Sequence, residues 1–214
     1  MDNKKNNKHG CFIAIEGTDG SGKSTQLKNV IAYLDEQGYD LVVTREPGGT
    51  SIGEQIRQVL LDTENAAMHA RTEMLLYAAS RAQHVEEKIL PGVKAGKVVV
   101  TDRYVGSSIA YQGFGRGLGD IVAQVNEIAT AGVYPDLTIF LDLSPEDGIK
   151  RKGNEEKHDL DRLELEKLEF HYKVYEGYQE MCKKNPNTVK RIDASKSAEE
   201  VFEEIKRVLN DFFH

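Results

Sequence analysis

The sequence predicts an α/β fold in which a parallel sheet is covered by helices on both faces. Five short apolar runs alternate with helical stretches, and that alternation implies crossover connections between parallel strands. The first run passes into a glycine-rich turn and then an amphipathic helix, the order of a ligand-binding strand–loop–helix unit. The chain has 214 residues, 39% hydrophobic and 29% charged, enough for a buried core and unlike a disordered composition.

Taken in order, residues 11–16 (CFIAIE) read as the first strand, and 23–37 place Leu27, Val30, Ile31 and Leu34 on one helical face. Residues 41–44, 97–101, 137–143 and 188–192 read as the remaining strands. The helices between them open at Ser51 with Glu54, at Ser144 with Pro145 in the first helical position, and at Ser197 with Glu200. Leu165, Leu168, Tyr172 and Tyr175 recur at helical spacing and predict a core stripe. No repeat, low-complexity tract or Pro/Ser-rich linker interrupts the chain. A polar tail over 1–10 and one domain over 11–214 are therefore expected.

With 28 basic and 35 acidic residues the net charge is −7, so long-range repulsion opposes binding of nucleic acid or an anionic membrane surface. A small anion held by a local basic pocket is compatible with it. Cys11 and Cys182 cannot form a disulfide framework, and no Cys/His spacing suggests zinc. The apolar run beginning at residue 11 is too short for a signal peptide or a membrane span. A cytoplasmic protein is expected.

In parallel sheets ligands gather beyond the carboxyl ends of the strands, and the motifs fall there. Gly17, Thr18, Asp19, Gly20, Ser21, Gly22, Lys23 and Ser24 satisfy G-x-x-x-x-G-K-S/T, with Thr25 next, between a strand and a helix. The glycines let backbone N–H groups turn around an anion, and the helix N-terminus adds its dipole. Lys23 would reach the β- and γ-phosphates and the Ser24 hydroxyl would reach Mg²⁺. This loop says nucleoside triphosphate and no more.

At the end of the second strand, TREPGGT (44–50) turns through Pro47 and offers Arg45 to a phosphate or carboxylate. Taken alone, a turn with a solvated arginine explains it equally. VVVTDR (98–103) ends in Asp102, placed as a magnesium-side acid, and Arg103, able to hold a second phosphate; a strand-end ion pair is the other reading. Ser107, Ser108, Tyr111 and Gln112 bring hydroxyls, a ring and an amide together, groups that suit a nucleobase.

These motifs, with LYAASR (76–81), DRY (102–104) and AYQ (110–112), resemble bacterial thymidylate kinases in order and spacing. The resemblance runs from about Phe12 to the C-terminus, through YPDL (134–137), DRL (161–163) and RIDA (191–194). It implies a doubly wound five-stranded parallel sheet of P-loop NTPase type with a small lid, and a homodimer. The implied reaction takes the γ-phosphoryl of ATP, with Mg²⁺, to dTMP, giving ADP and dTDP for dTTP synthesis. By the same resemblance Asp19 faces the sugar 3′-hydroxyl, and Arg45, Arg57 and Arg103 surround the monophosphate near Pro47. Tyr77, where the family usually has phenylalanine, stacks on thymine, although its spacing also suits a helix core. Arg81 contacts the base, and Ser107, Ser108, Tyr111 and Gln112 line the thymidine pocket. Glu46 and Asp102 join Ser24 on the magnesium side, and Arg191 lies near adenine.

The lid is expected over 150–162, between two helices. Arg151 and Arg162 align with lid-edge arginines of the family, but the middle holds Lys157 and no arginine, a point charge in place of a fork. Arg151 is therefore the expected catalytic arginine, with Lys157 in reserve; a solvated charged loop is the alternative. Two anions must meet in line, which requires Lys23, Arg103, Arg151 and Mg²⁺. The acceptor phosphate is already anionic, so no general base is expected. The glycines at 113–119 never form GxGxxG after a strand and predict a flexible connection. A kinase of this fold for another acceptor, and a switch driven by NTP hydrolysis, are the competing readings.

Overall fold

The computed structural model describes residues 10–153 and 161–214. Strands β1 (Cys11–Gly17), β2 (Leu41–Arg45), β3 (Val98–Asp102), β4 (Leu137–Asp142) and β5 (Val189–Asp193) form a parallel sheet ordered β2-β3-β1-β4-β5. Each lies within one residue of the run expected from the sequence. β1 and β4 are buried along their whole length, which is why they read as near-continuous apolar runs, whereas the edge strand β2 is only partly covered.

The helices are α1 (Lys23–Glu36), α2 (Ser51–Leu61), α3 (Ala70–His84), α4 (Leu90–Lys94), α5 (Val105–Ser108), α6 (Ile121–Thr130), α7 (Pro145–Gly153), α8 (Leu168–Lys184) and α9 (Ala198–Phe213). A π turn, Val85–Ile89, joins α3 to α4 just before Pro91, which brings no N–H to the helix ladder. A second, Ile109–Gly115, extends α5. Strand alternation divides the core: Ile13 and Ile15 face Val30 and Leu34 of α1 and Val201, Ile205 and Leu209 of α9. Phe12 and Ala14 face Val85, Ile89 and Tyr104 on the other side.

Ser197 and Glu200 form the expected capping box, and Ser144 Oγ accepts the Asp147 N–H (3.2 Å) where Pro145 opens α7. At α2 the reading is corrected. Thr50 is the cap, its Oγ1 accepting the Gly53 N–H (3.0 Å), while Glu54 turns back to Arg45 and the Gly49 N–H.

The expected core stripe of α8 is also corrected: Phe170, Val174, Gly177, Tyr178 and Met181 are buried, and Leu165, Leu168 and Tyr172 are exposed. Both sets have helical spacing, so period alone could not choose. Gly177 decides the register, because a Cβ there would lie 2.8 Å from Ala110 Cα; the buried face can approach the Ile109–Gly115 turn where a larger residue would clash. That turn also replaces the flexible connection expected over its first glycines, since Gly113 is buried and Gly115 packs against the Phe170 ring. Among the described residues no helix is long and apolar enough to cross a membrane.

Candidate active site

The phosphate loop follows β1 and presses against α7: a Cβ on Gly20 (φ 75°) would lie 2.2 Å from Gly148 O. Lys23 folds over the loop, its Nζ donating to Gly17 O (3.0 Å) and Thr18 O (2.8 Å). Burial and the neighbouring Arg103 charge push this ammonium down to about 8, against the pull of Asp19, Asp102 and Glu16. Asp102 Oδ1 and Ser21 Oγ are buried without a hydrogen-bond partner, an arrangement usually relieved by a bound group. A cleft of about 1730 Å³ opens over Gly20, Gly22, Ser24 and Thr25 and is bordered by Arg151 and Lys152 of α7 and by Lys196.

A second cavity, about 670 Å³, lies beyond β2 and β3 and is lined by Arg45, Pro47, Arg57, Tyr77, Arg81, Ser107, Tyr111 and Gln112. Asp19, Arg57, Asp102, Arg103 and Asp161 line both spaces, forming a common wall. Arg45, half exposed, pairs with Glu54 (2.9 Å), and Arg57 Nη1 donates to Pro47 O (2.9 Å). Arg45, Arg57, Arg81 and Arg103 thus all border this cavity, and Arg57 and Arg103 also border the phosphate-loop cleft.

Arg103 is the hub of the wall. Its Nη2 donates to Asp19 Oδ1 (2.6 Å), and its Nη1 to Gly17 O (3.0 Å), Ser107 Oγ (3.2 Å) and the Tyr178 hydroxyl (3.2 Å). Asp19 Oδ2 also accepts the Tyr111 hydroxyl (3.0 Å). Burial opposes ionisation of Asp19, but Arg103, Lys23 and Lys152 hold its carboxyl well below the usual range. Behind Arg103, buried Glu16 accepts from Tyr104 N (2.8 Å), Ser107 N (3.0 Å), Ser107 Oγ (2.7 Å) and the Tyr178 hydroxyl (3.0 Å). Sequence reasoning missed Glu16 and Tyr178. The one available signal was an acid closing an otherwise apolar buried strand.

Arg81 is 1% exposed, and its guanidinium is committed to protein acceptors. Nε donates to Glu46 Oε2 (2.8 Å), Nη1 to Ser108 Oγ (2.8 Å) and Asn126 Oδ1, and Nη2 to Tyr104 O (2.9 Å). The other Glu46 oxygen meets His84 Nδ1 (2.8 Å), and His84 Nε2 meets Thr44 Oγ1 (2.6 Å). This corrects the expectation for Glu46: both oxygens are held by Arg81 and His84, and it does not line the phosphate-loop cleft. Ser108 supports Arg81 and is absent from the cavity wall that Ser107 and Tyr111 help form.

Two further arginines depart from expectation. Arg191 projects from β5 opposite to Ile192 and pairs with Asp142, so Ala194 and Lys196, not Arg191, border the cleft. Arg162 is buried, donating to Leu60 O (3.0 Å) and pairing with Glu73 (2.7 Å), an anchor for the chain after the lid region. Arg151 does border the cleft and donates to Ser195 O (3.3 Å). Lys157 lies outside the described residues.

The thymidylate kinase family profile matches residues 15–205 of this chain. The thymidylate kinase of Clostridium novyi (strain NT) is 50% identical over 201 residues, 94% of this chain and 98% of its own length. That of Finegoldia magna is 52% identical over 199 residues, covering 92% and 97%. The crystal structure of thymidylate kinase from Ehrlichia chaffeensis superposes with a TM-score of 0.77 at 32% identity, covering 94% of this chain and 99% of that one.

Proposed function

The chain belongs to the thymidylate kinase family, which phosphorylates dTMP to dTDP, and we propose how its residues carry out that transfer. The wall shared by the two cavities carries the proposal, because it brings donor and acceptor anions together at Asp19 and Arg103. The triphosphate of ATP lies along residues 17–25, with Lys23 leaving the Gly17 and Thr18 carbonyls for the β- and γ-phosphates. The dTMP monophosphate meets Arg45, Arg57 and Arg103 near Pro47, and Asp19 faces the sugar 3′-hydroxyl. Tyr77 stacks on thymine, while Arg81, Ser107, Tyr111 and Gln112 border the base and sugar.

An anionic phosphate is already a nucleophile, so the protein aligns it and neutralises charge and needs no general base. Arg151 reaches the transferred phosphoryl from the donor side, and the lid expected over 150–162, of which 154–160 lie outside the described residues, excludes water. The partnerless Asp102 Oδ1 and the Ser24 hydroxyl at the start of α1 suit a small hard cation. Mg²⁺ held there would neutralise phosphate oxygens. Among the described residues no three His, Cys, Asp or Glu side chains converge, so phosphate and water oxygens would complete its shell.

Residues 11–214 work as one kinase domain, and two copies form a homodimer. The packed α2, α3 and α6 leave Ile52, Val59, Leu75, Ile121 and Ile128 exposed, an apolar set that a second copy would cover. The thiols of Cys11 and Cys182 are unpaired, in keeping with a reducing cytoplasm. An ADP-release assay across nucleoside monophosphates tests the reading. ADP forms with dTMP; equal release without any acceptor would make the protein an NTP hydrolase instead.

A further inference from the structure

We propose that Glu73 is a specificity-determining positioning residue: it holds the Gln112 amide so that the amide oxygen faces the acceptor cavity. The site then accepts a pyrimidine carrying an N3–H, as thymine does, and rejects one presenting an N3 lone pair, as cytosine does. The inference rests on the dTMP reading above.

Glu73 lies on α3 and is fully buried. Its Oε1 accepts Gln112 Nε2 (2.9 Å) and Arg116 Nε (3.2 Å), and its Oε2 accepts Arg116 Nη2 (3.0 Å) and faces Arg162 Nη2 (2.7 Å). Burial opposes its charge, but the bonds from Arg116 and Gln112 and the two guanidinium charges hold its carboxyl below the ordinary value. An ionised carboxylate only accepts hydrogen bonds. The Gln112 amide must therefore offer it nitrogen, since the reversed amide would set two oxygens against each other at 2.9 Å.

Gln112 is 1% exposed and lines the acceptor cavity, and among the described residues nothing donates to its Oε1. The N–H groups of Arg81, on the same cavity, are committed to Glu46, Ser108, Asn126 and Tyr104. The Gln112 oxygen is thus a fixed, unoccupied acceptor. A fixed acceptor satisfied by N3–H is left facing a lone pair when cytosine enters, and buried mismatches of this kind discriminate strongly. Neutral glutamine at 73 could donate or accept, which would free the amide to turn over.

The test compares kcat/KM for dTMP and dCMP in the wild type, Glu73→Gln and Arg116→Met. The last variant loosens the same ion cluster but keeps the Glu73–Gln112 bond. In Glu73→Gln, KM for dTMP rises roughly tenfold, KM for ATP stays within about twofold, and the dTMP:dCMP preference falls roughly tenfold or more. In Arg116→Met the preference is retained. An unchanged preference in Glu73→Gln, or an equal fall in Arg116→Met, would overturn the inference. If Glu73→Gln does not fold, Glu73→Asp, which keeps the charge but withdraws it by one methylene, is read in the same way. A wild type that does not distinguish dTMP from dCMP would overturn the acceptor reading itself.

Discussion

Arg103 adopts φ 67°, a left-handed conformation that costs a non-glycine residue about 1–3 kcal/mol. The cost is met by a backbone bond from its N–H to Ile15 O (2.9 Å) and by the side-chain bonds to Asp19, Gly17, Ser107 and Tyr178. The phosphate-loop motif of Gly17, Gly22 and Lys23 stands out because its pattern is local in sequence. Glu16, Tyr178, Glu73 and His84 do not, because their partners are distant; Tyr178 meets Glu16 across 162 positions. Glu46 misled for a related reason: the family resemblance put it on the magnesium side, but two long-range partners occupy it. Arg81→Ala should raise KM for dTMP about tenfold or more and leave that for ATP within about twofold. Equal effects would remove Arg81 from the base pocket. The variant also strands Glu46 as a buried charge, so its Tm should fall. Lys23, pushed down to about 8 in the free protein, is charged below that pH and neutral above it. Phosphate binding favours the charged form, so kcat/KM for ATP should decline as pH rises through about 8, and a flat profile from pH 7 to 9.5 would contradict this.

Elements were more legible than side-chain partners. β1, β3 and β4 are covered on both faces over nearly their whole length, so each appears as a near-continuous apolar run that a surface segment rarely imitates. The register of α8 was not legible, because two stripes share its period and only the close approach at Gly177 selects one. The β5 alternation hid Arg191 in the same way, since which face meets the cleft depends on the layer packed against it. α7 carries Arg151 to the edge of the donor cleft, whereas Arg162 is tied to Leu60 and Glu73. Arg151→Ala should therefore lower kcat about 10²-fold or more with a smaller change in KM for dTMP, as expected for a group engaged in the transition state. Near-normal turnover would exclude it as the catalytic arginine.

At the scale of the whole molecule, the net charge of −7 sits poorly with two anionic substrates until the cations are located. Lys23, Arg57, Arg103 and Arg151 border the donor cleft, and Arg45, Arg57, Arg81 and Arg103 border the acceptor cavity. The negative balance therefore describes the rest of the surface. Bound anions would be held by short-range contacts, where fixed cations count for more than the distant field. The sheet order brings the ends of β1 and β3 side by side, and that adjacency joins the two spaces at Asp19, Asp102 and Arg103. Direct transfer across this wall is the central claim. Its most direct test is the stereochemistry of a γ-chiral thiophosphoryl donor, turned over with dTMP and read in the dTDP analogue formed. Direct in-line transfer predicts inversion at phosphorus. Retention, which requires an intermediate on the enzyme, or loss of the label to water without the dTDP analogue, would contradict it.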